Sequence, residues 1–123
     1  MALTHRRLIA LAALGAAAAA SAAPALAGST PSRSVEVADN YFAPTRLTVK
    51  KGTRLVFRWP AANYNRHDVA LNSAPRGVRR WNSPLRTSSY TYRRTLRKAG
   101  TYKIICTLHP TQMRLTVRVR RSS

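Results

Sequence analysis

Four side chains of types that bind soft metal ions stand out in this chain of 123 residues. The single cysteine, Cys106, shares one short segment with His109 and Met113, and His67 stands upstream. One thiolate, two imidazoles and one thioether suit copper, with two His and one Cys in a plane and Met as a weak axial ligand. Zinc is the competing metal, although structural zinc sites rarely use a thioether.

Each of these residues also has an ordinary structural explanation. A lone buried cysteine commonly packs as a small hydrophobe, and a lone methionine commonly fills a gap in the core. The combination favours a site because Cys106 and His109 have C-x-x-H spacing, which lets one turn bring both side chains to a point. His67 would then have to arrive on a strand beside the cysteine strand.

The elements that position these residues have an apolar period of two, which predicts β-strands. No segment keeps a helical pattern for three turns, so we expect an all-β fold of about seven or eight short strands. Two sheets packed face to face, a β-sandwich, would bury the alternating faces. We expect Phe42 in the core, Trp81 capping it within a surface excursion over 72–88, and His67 at the start of a strand. The alternating apolar residues are Val35 and Val37; Leu47 and Val49; Leu55, Phe57 and Trp59; Val69 and Leu71; Tyr90 and Tyr92; Tyr102, Ile104 and Cys106; and Leu115, Val117 and Val119.

The first 27 residues have the order of a secretory signal. Arg6 and Arg7 precede an apolar run, and Ala25-Leu26-Ala27 resembles a cleavage site. A retained membrane anchor is the alternative, but the apolar run turns into weakly apolar alanines early. We expect cleavage near Ala27, a short polar leader over 28–34 and one domain over 35–121. The product would be exported to the periplasm, the cell surface or the medium, where a lone cysteine needs a role other than pairing within the chain.

Three segments together resemble the cupredoxins, the type 1 or blue copper proteins of the plastocyanin and amicyanin kind. The first runs from Tyr41 to Gly52 and the second is His67-Asp68-Val69. The third and most specific runs from Ala99 to Pro110 and on to Met113 and Val119. The resemblance covers about residues 35 to 120.

The resemblance implies a Greek-key β-sandwich with one type 1 copper ion held by His67, Cys106, His109 and Met113. Asp68 would brace the ligand loop through Thr107. Three residues separate His109 from Met113, whereas amicyanin-like loops have two and plastocyanin-like loops four. Gln112 is therefore an alternative axial ligand.

The implied function is electron transfer by a small exported protein that cycles between Cu(II) and Cu(I). The resemblance makes His109 the electron port, surrounded by Leu108 and Pro110. The sequence has no pair of carboxylates suited to catalysis, and no Ser/His/Asp set remains once both histidines are assigned to the metal. Nothing in it therefore predicts an enzyme. Copper delivery or sequestration is an alternative function.

The basic charge indicates partners rather than chemistry. The chain has 22 Lys and Arg against three acids, a formal net charge of +19. This charge favours an acidic redox partner and permits contact with an anionic cell surface. A polyanion-binding module is the remaining alternative, but an exported protein is not expected to meet nucleic acid. We expect a monomer.

Overall fold

A computed structural model describes residues 29–121, which form eight β-strands and no helix. The predicted signal peptide, 1–27, lies outside the described residues. No membrane-crossing helix, long and apolar enough to span a bilayer, occurs between residues 29 and 121. The strands are β1 (Ser32–Ala38), β2 (Tyr41–Ala43), β3 (Arg46–Lys50), β4 (Arg54–Trp59), β5 (Ala70–Ser73), β6 (Tyr90–Thr95), β7 (Gly100–Ile105) and β8 (Arg114–Arg120).

The strands form two four-stranded sheets, which confirms the predicted all-β sandwich. One sheet has the order β2-β1-β4-β6 and the other β3-β8-β7-β5. Both are mixed, because β1 pairs in parallel with β4 and β3 in parallel with β8. The other pairings within each sheet are antiparallel. β5 pairs with β7, so the strand after His67 lies beside the strand that leads to Cys106, as predicted.

The core is built from the apolar face of each strand. In β4, Leu55, Phe57 and Trp59 are buried while Arg54 and Arg58 are exposed. Burying one such apolar side chain contributes about 1.5–3 kcal/mol relative to leaving it in water. Phe42 is buried as predicted. Trp81 is half-buried and packs against the core, as expected for a cap.

Three boundaries differ from the sequence prediction. β5 continues to Ser73, so the surface excursion predicted over 72–88 begins after that residue. β1 begins at Ser32, so its first three residues fall within the predicted polar leader, 28–34. These residues are exposed and join the sheet through their backbone, which leaves no apolar signal in the sequence. His67 does not start a strand, because β5 begins at Ala70; His67 instead forms an isolated bridge with Arg86.

The sandwich has two ends, which we name by the residues that mark them. At the Cys106 end, β7 finishes at Ile105 and β4 finishes at Trp59. At the Gly52 end, the turn before β4 is tied to the chain after β6. There Gly52 N donates to the carbonyl of Leu96 at 2.7 Å, and Leu96 N donates to that of Thr53 at 2.9 Å.

Candidate metal centre

The loop between β7 and β8 brings three of the predicted site residues close together along the backbone. The N–H of His109 donates to the carbonyl of Cys106 at 3.1 Å, which closes a turn over the C-x-x-H segment. The N–H of Met113 donates to the carbonyl of His109 at 2.9 Å, and that of Cys106 to the carbonyl of Met113 at 3.2 Å. The loop therefore folds back on itself, and Cys106 and Met113 meet at its base.

His67 reaches the same point from another part of the chain. Its N–H donates to the carbonyl of Arg86 at 2.9 Å, and the N–H of Arg86 donates back at 3.0 Å. The indole Nε1 of Trp59 donates to the carbonyl of His67 at 3.1 Å. Two backbone hydrogen bonds and one from the Trp59 side chain thus hold a segment that belongs to no strand.

The side chains of His67, Cys106 and His109 form one cluster. Their ligand atoms all lie within 4.8 Å of one another, and Cys106 Sγ is 3.7 Å from His109 Nδ1. The two imidazole rings have centroids 5.1 Å apart. His67 and Cys106 are fully buried, while His109 is partly exposed. The structure therefore brings together three of the four residues that the sequence singled out as metal ligands.

Asp39 occupies one nitrogen of His67 and leaves the other available as a metal ligand. Its Oδ1 lies 2.9 Å from His67 Nε2. A carboxylate only accepts hydrogen bonds, so in the neutral imidazole Nε2 carries the hydrogen and Nδ1 keeps its lone pair. His67 Nδ1 is buried, and among residues 29–121 it is the one buried side-chain polar atom without a hydrogen-bond partner.

The buried, unpartnered Nδ1 of His67 indicates whether these residues fit a metal ion. A buried polar atom without a partner costs free energy, and native structures keep few of them. Zinc bond lengths of ~2.0 Å to nitrogen and ~2.3 Å to sulfur, at 120°, place the two donors roughly 3.7 Å apart. The Cys106–His109 separation agrees with that figure. The donor set of two imidazoles and one thiol therefore fits one metal ion of this size. Copper also prefers this set of donors.

Asp39 is itself held by the loop that precedes His67. Its Oδ2 accepts the backbone N–H of Tyr64 at 2.8 Å, and its Oδ1 accepts that of Asn65 at 3.0 Å. The Tyr64 N–H, followed by the His67 side chain, lowers the pKa of Asp39 below its usual value. The carboxylate is therefore kept in the ionised form that accepts from His67.

Sequence reasoning missed Asp39. The residue follows β1 in the turn to β2, where Asp-Asn commonly serves the turn itself, and Asn40 has a φ of 66°. A useful signal was available, since Asp39 is one of only three acids in the chain. Its contact with His67, 28 positions away, is a product of the tertiary fold.

Asp68 and Thr107 join the two segments of the cluster through hydrogen bonds. Asp68 is buried, and its Oδ1 accepts the backbone N–H of Thr107 at 2.7 Å. Its Oδ2 accepts the Thr107 hydroxyl, also at 2.7 Å. Short hydrogen bonds to a charged acceptor are among the stronger ones in proteins. This pair ties the residue after His67 to the residue after Cys106.

The two candidates for the axial position differ sharply in burial. Met113 is fully buried and belongs to the core cluster, whereas Gln112 is exposed. The buried thioether is therefore the better candidate.

A comparison of the chain with models of protein families points in the same direction as this geometry. The model of the Cupredoxin-like domain family matches residues 8–117. The chain belongs to the cupredoxin family. No match for this cupredoxin was found among the curated proteins.

Solved structures similar to this cupredoxin include amicyanins and one larger enzyme. A methionine-to-glutamine mutant of amicyanin, Cu(I), is 28% identical with a TM-score of 0.62; the match covers 72% of this chain and 82% of that one. A proline-to-glycine mutant of amicyanin, in its reduced Cu(I) form at pH 4, is 26% identical with a TM-score of 0.62, covering 77% and 88%.

The enzyme is the Cu-containing nitrite reductase of Thermus scotoductus SA-01. It is 27% identical with a TM-score of 0.62, and the match covers 73% of this cupredoxin. Only 22% of the reductase is covered, so this chain spans about a fifth of that protein.

The axial position yields a direct prediction for this cupredoxin. In the copper-loaded protein, Met113→Leu is expected to raise the reduction potential, because a thioether donor that stabilises Cu(II) is lost. The swap nearly conserves volume and should cost less than about 1.5 kcal/mol of stability. The potential is measured by redox titration followed in the visible spectrum.

Gln112→Leu is the matched control for that measurement. Its side chain is exposed, so the same substitution should leave the potential unchanged. A shift in Gln112→Leu with none in Met113→Leu would assign the axial role to the amide instead.

Proposed function

We propose that this cupredoxin binds one copper ion through His67, Cys106, His109 and Met113 and carries single electrons between partner proteins. The observation that carries the proposal is the convergence of His67, Cys106 and His109 within 4.8 Å, with His67 Nδ1 buried and unpartnered. The amicyanins that it resembles have been solved in reduced and oxidised forms, which supports a redox role for this fold.

A copper ion bound there would supply a one-electron couple between Cu(II) and Cu(I). The chain's part is to keep the donors in one arrangement through both states. Asp39 fixes the His67 ring, and Asp68 fixes the loop at Thr107. A site whose supporting hydrogen bonds are already made needs little rearrangement when its charge changes.

The surface around the cluster supports the role of a docking face. In the described part of the chain, four large apolar side chains are exposed: Tyr41, Tyr64, Leu85 and Leu108. Leu108 adjoins His109, and Leu85 adjoins Arg86, the partner of His67 in its bridge. Tyr41 and Tyr64 flank Asp39, which Tyr64 contacts through its backbone.

All four residues thus lie at the Cys106 end. Clustered exposed apolar side chains mark interaction sites. We propose that the partly exposed His109, with Leu108 and Pro110 beside it, is the route by which electrons enter and leave.

Electron transfer is favoured over copper delivery by burial. His67, Cys106 and Met113 are fully buried, so an acceptor would have to open the core before it could take the ion. The same burial favours a carrier over an enzyme, because a substrate could approach the cluster only from the His109 side. We propose further that the chain is exported after cleavage near Ala27, acts as a monomer and meets an acidic partner.

The test compares electron exchange with copper release. Oxidised and reduced copper-loaded protein are mixed, and electron self-exchange is measured from NMR line broadening. Release is measured with a Cu(I) chelator. Leu108→Lys is expected to slow self-exchange about tenfold, because two apolar faces must lose their water to meet, and a buried ammonium opposes that.

Thr101→Lys adds the same charge near the Gly52 end and is the matched control, with little expected effect. Equal slowing in both variants would show that the slowing comes from net charge. It would contradict the proposal of a docking face around His109. Copper release that outpaces electron exchange would favour delivery or sequestration.

A further inference from the structure

A concave feature of the surface lies away from the histidine–cysteine cluster. It is a cleft of about 500 Å³ between the edge strand β6, the segment that follows it and residues 77–81 of the surface excursion. We call it the basic cleft, because five of the residues that line it are cationic and none is acidic. The cations are Arg79, Arg93, Arg94, Arg97 and Lys98.

Two of these cations are held in place by the fold. The Arg94 guanidinium lies over the rings of Tyr92 and Trp81, at 4.9 and 5.8 Å from their centroids. Its Nε also donates to the Tyr92 hydroxyl at 3.0 Å. The Lys98 ammonium donates to the carbonyl of Arg76. Cations that are already positioned lose little conformational entropy when a ligand binds.

No acidic side chain neutralises this charge. Within residues 29–121 the carboxylates pair with no arginine or lysine, and the one carboxylate ion pair is that of Asp39 with His67. Like charges crowded into one concave surface repel one another and concentrate a positive potential there. An anionic ligand would relieve that repulsion.

The chemistry of the lining narrows the class of anion. A ligand that balances five cations in one cleft must have several negative charges in a small volume. A phosphate group carries up to about two charges and three strong acceptor oxygens near neutral pH, whereas a carboxylate carries one charge and two oxygens. The arginine fork also matches phosphate oxygens in pairs. We propose that the basic cleft binds a compact ligand with two or three clustered phosphate groups.

The cleft is separate from the electron-transfer site. Lys98 precedes β7 and Cys106 follows it, so the two lie about 20 Å apart along a strand of six residues. The volume is within the usual range for small-ligand sites, roughly 300–1,000 Å³. A ligand there would leave the docking face around His109 free. The proposal therefore does not depend on copper, and its test can succeed or fail without it.

Calorimetric titration of the full copper-free and copper-loaded protein with inorganic tripolyphosphate tests this proposal. We expect the same affinity in both forms. The double variant Arg94→Gln/Lys98→Gln should bind at least about tenfold more weakly, since two charge-assisted hydrogen bonds are lost. If that variant fails to fold, Arg93→Gln/Arg97→Gln should show the same loss, because both residues also line the cleft. Both side chains are exposed and take part in none of the side-chain hydrogen bonds described above, so this variant should fold.

The matched control is Lys50→Gln/Arg118→Gln, which removes the same two charges from β3 and β8. It should weaken binding less than about twofold. An equal loss in both double variants would show diffuse attraction to a basic protein and overturn the proposal. Tighter binding of a hexaglutamate peptide would assign the cleft to an acidic protein. Equal binding of glycerol phosphate would remove the requirement for clustered phosphates.

Discussion

Replacing Cys106 with serine is expected to abolish the intense visible absorption of the Cu(II)-loaded protein. That band requires a thiolate bound to copper, and the chain holds no other cysteine. A serine hydroxyl is a hard donor that stays protonated at neutral pH. We therefore also expect the affinity for Cu(II) to fall by more than the 10–100-fold typical of losing a supporting partner. The measurements are the visible spectrum and a competitive copper titration.

The variant must be shown to be folded before its lost colour can be interpreted. Cys106 is fully buried, so a serine there leaves a buried hydroxyl that costs about 1–3 kcal/mol. Urea unfolding of the copper-free protein measures that cost. Thr107→Ser is the control, because it keeps the hydroxyl that donates to Asp68. An intense band that survives in folded Cys106→Ser would contradict the assignment of the thiolate.

The second large effect is expected from Asp39, a residue that touches no metal ligand atom. Asp39→Ala removes the acceptor that holds His67 Nε2–H and leaves the ring free to turn or change tautomer. Losing such a partner typically lowers metal affinity 10–100-fold. We expect a decrease of this size for Cu(II), measured by competition with a chelator of known affinity. The backbone N–H groups of Tyr64 and Asn65 would also lose their acceptor, so the loop before His67 should become more mobile.

Glu36→Ala is the matched control for this prediction. Glu36 lies on β1 three residues before Asp39 and is exposed. Its substitution removes the same charge as Asp39→Ala. It should change copper affinity less than about twofold. Asp39→Asn distinguishes charge from geometry, since the amide oxygen can still accept from Nε2. Wild-type affinity in Asp39→Ala would show that packing alone orients His67.

The Cys106 end and the basic cleft are two regions of the molecule with different proposed functions. The Cys106 end has the buried donors and the exposed apolar side chains, so its effects should appear in colour, potential and electron exchange. The basic cleft has five cationic lining residues, and its effects should appear in phosphate binding alone. A variant of one region that changed the readout of the other would show that the two are coupled.

Much of the fold followed from local pattern. The alternation of Leu55, Phe57 and Trp59 with exposed arginines identified β4, and the same reasoning located β7 and β8. The ends were harder to place. Ser32 joins β1 through its backbone, and His67 enters a bridge with Arg86, so neither leaves an apolar pattern to detect.

The amino-acid sequence alone identified the candidate donor set. It supplied one thiol, two imidazoles and a thioether in a spacing that resembles cupredoxins, because ligand type and loop length are local properties of the chain. The tertiary structure decided which atoms of these residues converge. Only the folded chain brings Asp39 to His67, leaving Nδ1 unpartnered, and places Arg79 and Trp81 beside the cationic segment 93–98. Such contacts join segments far apart along the chain, and the packing of two sheets, which no local pattern encodes, sets their geometry.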